Sequence, residues 1–136
     1  MKLGPEDIEL IKVFDWLREN PDIEEDCFHI ANERKCSIIQ GNILKRKGVK
    51  SGVADILVAI PMGGYHGLWV ELKTGKNKPT PNQKRFLARM TARGYLAICV
   101  WDFEGVQFAV LEYLNIPDWR TKNNHILRGT MLQTEA

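Results

Sequence analysis

The sequence predicts an α/β domain, a small mixed sheet flanked by helices, and three observations lead there. Two apolar runs of strand length, Ile56–Ile60 and Gly67–Val70, are separated by Pro61, Gly63 and Gly64, so the chain can reverse on itself as a hairpin. A third run, Tyr95–Trp101, follows Thr80-Pro81-Asn82-Gln83, a capping-box pattern with proline at the first helical position. A helix crossing between two strands makes them parallel. Finally, segments with helical apolar stripes stand before and after these strands.

Taken in order, Pro5 with Glu6 and Asp7 behind it starts a helix, and Ile8, Ile11, Phe14 and Leu17 form its stripe. Asn20-Pro21 ends it. Residues 22 to 26 are acidic and read as solvated, and Cys27–Ala31 as a short strand. A second helix runs from about Cys36, with Cys36, Ile39, Ile43, Leu44 and Lys47 on one face and Gly48 as its stop. Strands Val53–Ile60 and Leu68–Lys73 follow, then a helix from Pro81 to about Arg93, halted by Gly94. After the third strand Asp102 caps a last helix bearing Phe103, Val106, Val110, Leu111 and Leu114. Residues 117 to 136 are polar and read as a C-terminal extension of a single domain spanning 1 to 136.

A chain of 136 residues, 44% hydrophobic and 26% charged, is long enough for one real core and too apolar for disorder. It contains no apolar stretch of membrane-spanning length and no signal-peptide pattern. Cys27, Cys36 and Cys99 form no CxxC pair, and His29, His66 and His125 are scattered, so zinc is disfavoured. The expectation is a reduced, cytoplasmic protein that does not enter membranes.

The chemistry concentrates around Asp55 and Glu71-Leu72-Lys73. Neighbouring strands would place the two acids side by side, and alternation would aim Glu71 and Lys73 the same way while Leu72 points away. Carboxylates without thiolates suit a hard cation such as magnesium. Charge sharpens this. Residues 45 to 89 hold ten Lys or Arg and only two acids, Asp55 and Glu71, a balance of +8. The rest of the chain has nine basic and fifteen acidic residues, or −6. A near-neutral total of +2 therefore conceals a cationic surface fit for a polyanion.

These residues bring a family into view. The chain resembles the PD-(D/E)xK nuclease superfamily, and within it the virus-type replication-repair nuclease (VRR-NUC) branch. The likeness runs through Ala31-Asn32-Glu33, Leu44–Val49, Ser51–Asp55, Glu71–Thr74, Pro81-Asn82-Gln83 and Arg93-Gly94-Tyr95, a motif core of about residues 28 to 114. Two departures stand out: Ala54 replaces the usual proline before the aspartate, and without the additional domains of large members the chain is expected to be a stand-alone, phage-type member.

The resemblance implies a restriction-endonuclease-like core and a Mg2+- or Mn2+-dependent deoxyribonuclease. Asp55, Glu71 and the Leu72 backbone carbonyl would hold the cation, with Glu33 as a further acid, and Lys73 would stabilise developing charge. Gln83 matches a motif position near the site. Lys45, Arg46, Lys47, Lys50, Lys76 and Lys78 would hold DNA through phosphates. The resemblance further implies a homodimer cutting branched DNA such as four-way junctions. The alternatives are a nicking, single-strand or flap nuclease of phage DNA metabolism, or a non-catalytic DNA-binding module on the same fold.

Each residue also has a plainer reading. Gln83 can serve only its helix cap, Lys73 can be an ion-pair partner of Glu71, and Lys45-Arg46-Lys47 can be a solvated helix end favoured by the dipole. Nothing local separates Glu33 from Glu24 or Glu25. His29, His66 and the tryptophans read as structural.

Overall fold

The computed structural model describes residues 2–31 and 37–116. Its elements are α1 (Pro5–Leu17), α2 (Pro21–Glu24), β1 (Cys27–His29), α3 (Ile38–Arg46), β2 (Ile56–Val58), β3 (Leu68–Leu72), α4 (Pro81–Ala92), β4 (Leu96–Val100) and α5 (Phe103–Leu114). The sheet runs in the order β1-β2-β3-β4. β1 and β3 each pair antiparallel with β2, while β4 joins β3 in parallel after the α4 crossover. This is the mixed α/β core of a restriction-endonuclease-like fold.

One face of the sheet makes the main core. Ile56, Val58, Leu68, Val70 and Leu72 are fully buried there with Val13 and Leu17 of α1 and Val106, Val110 and Leu114 of α5. Trp16 meets Phe103 edge-on, and Glu9 accepts the Phe103 N–H at 3.1 Å, tying α1 to the start of α5. On the other face α4 lays Phe86 edge-on against Trp69, centroids 4.9 Å apart. Both α4 and α5 are capped as their sequences specify. Thr80 accepts from the Gln83 N–H, Gln83 accepts from the Thr80 N–H, and Asp102 accepts from the Gly105 N–H.

Three local expectations need correction. Asn20-Pro21 does not simply end a helix, because Pro21 is also the first residue of α2 and Asn20 its cap. Within the acidic stretch that follows, Ile23 is fully buried, so residues 22 to 26 are not uniformly solvated. The third correction concerns the Val53–Ile60 run, of which only Ile56–Val58 pairs as strand. Helix α3 starts at a Ser37 cap answered by Gln40, and its Ile39 and Ile43 are exposed. Cys27 is buried and Cys99 half-buried, whereas Cys36 and the extension 117–136 lie outside the described residues.

Candidate active site

The hairpin register decides where the acids meet. Ile56 lies opposite Val70, so one step further toward the open end Asp55 lies opposite Glu71. The Asp55 carbonyl accepts the Ile30 N–H at 2.8 Å and lies 2.8 Å from His29 Nδ1. Since a carbonyl can only accept, that nitrogen carries the proton. The Asp55 carboxylate, in turn, accepts the Leu72 N–H through Oδ2 at 2.8 Å. Asp55 is thereby clamped between β1 and β3.

Glu71 is the anomaly. It is 1% exposed, and among the described residues no N–H or hydroxyl donates to either carboxylate oxygen, leaving the Asp55 carboxyl as its hydrogen-bonding neighbour. Lys73 Nζ approaches Oε1 only to 3.9 Å, beyond hydrogen-bond range. Leu72, between them, points into the core, so Glu71 and Lys73 share the opposite face, as alternation requires. Asp55 and Lys73 are buried as well, at 6% and 8% exposure. Burial, and next the carboxylate of Asp55, push the Glu71 carboxyl up to about 8, while Lys73 pulls it the other way. A buried carboxylate without a donor is costly unless it takes up a proton or a cation compensates it.

Above Asp55 opens a cavity of about 470 Å³, lined among others by Glu6, Asp7, His29, Asp55, Thr74 and Asn77. Glu6 was not singled out by sequence reasoning. It stands in the first turn of α1, and its charge is among those that raise the Glu71 carboxyl. Its only sequence signal is that of an ordinary acidic helix start. Glu33 lies outside the described residues. Among the described residues no three His, Cys, Asp or Glu side chains are grouped closely enough to form a metal cluster on their own.

The other candidates fall into two groups. Lys76 and Lys78 are exposed and flank Asn77, a cavity-lining residue whose carbonyl accepts the Trp101 Nε1–H at 2.7 Å. Lys45, Arg46, Lys47 and Lys50 are also exposed, at the end of α3 and in the loop before β2. That loop is pinned to α4, because Ser51 Oγ accepts from Asn82 Nδ2 at 3.0 Å. Gly52 (φ +84) presses so close that an added Cβ would stand 2.7 Å from the Asn82 backbone. Gln83 is placed by its cap: its side-chain oxygen accepts the Thr80 N–H at 2.9 Å, and it does not line the cavity.

No protein-family model and no curated protein matches the sequence. Solved structures do. One, described as "VRR_NUC domain protein", aligns with a TM-score of 0.74 at 27% sequence identity, over 87% of this chain and 94% of that one. This likeness supports the VRR-NUC family for the chain. It supports a nuclease-domain family in general terms, over most of the chain. Among the described residues no helix is long and apolar enough to cross a membrane.

Proposed function

We propose that this VRR-NUC domain is a metal-dependent deoxyribonuclease whose reacting centre is Asp55, Glu71 and Lys73. The observation that carries the reading is the Glu71 carboxylate, buried against the Asp55 carboxylate with no N–H or hydroxyl donor of the described residues on either oxygen. Two carboxylates of this kind fit a hard divalent cation, Mg2+ or Mn2+, and the Leu72 carbonyl is the third oxygen proposed. Such a cation supplies charge neutralisation at the phosphate and a more acidic water.

The chain's own residues do the rest. Asp55 is oriented by the Leu72 N–H, so its carboxylate is preorganised. Lys73, held nearly buried next to Glu71, stabilises negative charge that develops on the reacting phosphate. Glu6, facing the same cavity from α1, is a third acid for the site, in the part that the family resemblance gives to Glu33. Lys76 and Lys78 at the rim, and Lys45, Arg46, Lys47 and Lys50 beyond it, hold the phosphates on either side.

The decisive experiment incubates the full chain with labelled linear, flapped and four-way DNAs, with Mg2+, with Mn2+ and with chelator. Metal-dependent cleavage that disappears in Asp55→Asn and Glu71→Gln supports the reading. Binding without cleavage under every condition would leave a non-catalytic DNA-binding module.

We further propose that the active form is a homodimer acting on branched DNA, since each chain brings one such pair of acids and a junction has two strands to cut. Light scattering should return about twice the 15.6 kDa chain mass, and four-way DNA should be cut faster than linear duplex. A monomer with equal rates on both would remove the junction role and favour a nicking or flap nuclease.

A further inference from the structure

Helix α3 carries hydrocarbon on its solvent side. Ile38 is 84% exposed, Ile39 73% and Ile43 49%, and no residue of the helix is buried. The half-buried positions, Gly41 and Leu44, lie on the opposite side. Helical spacing sets Arg46 on the same outward arc as the isoleucines, with Lys45 and Lys47 at its edges. From Ser37 to Ala54 the chain has no acid at all. The helix runs into a loop of defined course. Its end closes through the Val49 N–H onto the Leu44 carbonyl at 2.9 Å, and Ser51 and Gly52 are pinned to α4 just before Asp55.

We propose that α3 is a wedge for branched nucleic acid. Its three isoleucines pack on bases left unstacked at a fork, gap or junction, while Arg46, Lys45 and Lys47 grip the flanking phosphates. This rests on the nuclease reading above and narrows its substrate class. Charge decides the partner. Two copies meeting through this face would bring together two +3 surfaces without an acid, which repel. Nucleic acid offers the complement: a dense anionic backbone, and flat apolar base faces that stacking hides in a continuous duplex. Inserting apolar side chains into an intact duplex costs a few kcal/mol per step for unstacking. At a branch that cost has already been met by the DNA itself, so the same helix binds better there.

The test is fluorescence anisotropy of the full chain, in chelator, on a forked and a continuous duplex of one sequence, with 2-aminopurine at the branch. Wild type should favour the fork by about tenfold, a difference of ~1.4 kcal/mol, and change the 2-aminopurine emission on binding. The triple variant Ile38→Ser/Ile39→Ser/Ile43→Ser should bring the ratio near one and leave the emission unchanged. Should the triple variant misfold, Ile38→Ser alone, at the most exposed position, must lower the ratio. A ratio unmoved by these substitutions would overturn the wedge. So would a variant that turns from dimer to monomer in light scattering with the ratio intact, which makes the face a self-interface. Cleavage with metal is followed on the same DNAs: its absence in wild type would remove the nuclease reading, while the anisotropy ratio still judges α3.

Discussion

The open end of the β2–β3 hairpin and the outward arc of α3 break the burial rule in opposite senses. The first puts Asp55, Glu71 and Lys73 almost wholly out of water, with the Glu71 oxygens unanswered by any donor. The second leaves three isoleucines in water on a helix with no buried residue. The main core follows the ordinary rule, with Val13, Leu17, Val58, Val70 and Leu114 sealed inside. On the two readings proposed above, a cation would complete the stranded carboxylates, and an anion with flat apolar faces the basic, hydrocarbon helix.

The largest effect that can break this comparison lies in the acids. Asp55→Asn and Glu71→Gln should each lower turnover by about a thousandfold or more, the scale of losing a positioned electrostatic group. Binding of the same DNA should persist or tighten, because a negative charge facing phosphate is gone. Full cleavage by either variant at ordinary metal concentration would reduce the buried pair to a structural oddity. Lys73→Ala removes no metal ligand, so metal affinity measured by calorimetry should stay within about tenfold while turnover falls further. Normal cleavage would make Lys73 only an ion-pair partner of Glu71.

Stability sharpens the same contrast. Glu71 binds its proton more tightly folded than unfolded, since its carboxyl is raised to about 8 by burial first and Asp55 second. The stabilisation from the neutral form is therefore full below about 4.5 and is lost as pH rises through about 8. Metal-free wild type should melt lower at pH 9 than at pH 6, and Glu71→Gln should flatten that slope. Mg2+ or Mn2+ should raise the wild-type Tm at pH 8. Each kcal/mol recovered is worth roughly 3–5 °C for a domain of this size. A Tm indifferent to metal, with an unchanged pH slope in Glu71→Gln, would count against the compensated-carboxylate account.

The basic residues should show a smaller, more diffuse effect. Neutralising Lys45 and Lys47 together should weaken binding to unrelated sequences alike. It should also flatten the log–log salt dependence by roughly 0.9 for each phosphate that the protein no longer neutralises. A changed sequence preference at constant salt slope would mean that these residues read bases.

Much of this was legible in the chain, for identifiable reasons. The turn residues between Ile60 and Leu68 force a reversal, and strand alternation then fixes which side Glu71 and Lys73 share, so local rules sufficed. Thr80–Gln83 and Asp102 marked helix starts by side-chain chemistry alone, and the Ser37–Gln40 box was there to be read as well. Glu6 was not legible. It reaches the cavity because α1 docks on α5 and the sheet, a long-range consequence of packing that leaves no trace around residue 6. The exposure of the α3 isoleucines was not legible for a related reason. Periodicity shows that a helix has an apolar face, but whether anything in the same chain covers it is a tertiary fact.

The smallest effect concerns Gln83, where one side chain has two uses open to it. Its oxygen is taken by the Thr80 N–H, so the cap is real, whereas only the amide donors can serve a substrate. Gln83→Ala removes both and should lower stability by about 0.5–1.5 kcal/mol, the scale of the one hydrogen bond lost to the Thr80 N–H. Gln83→Glu keeps the acceptor and loses the donors, so its stability should match wild type. Turnover is then the discriminating readout. A single neutral hydrogen bond of about 0.5–1.5 kcal/mol corresponds to roughly a two- to tenfold loss. We expect a loss within that range for Gln83→Glu in steady-state cleavage assays. Wild-type turnover in Gln83→Glu, together with lowered stability in Gln83→Ala, would assign Gln83 wholly to the start of α4.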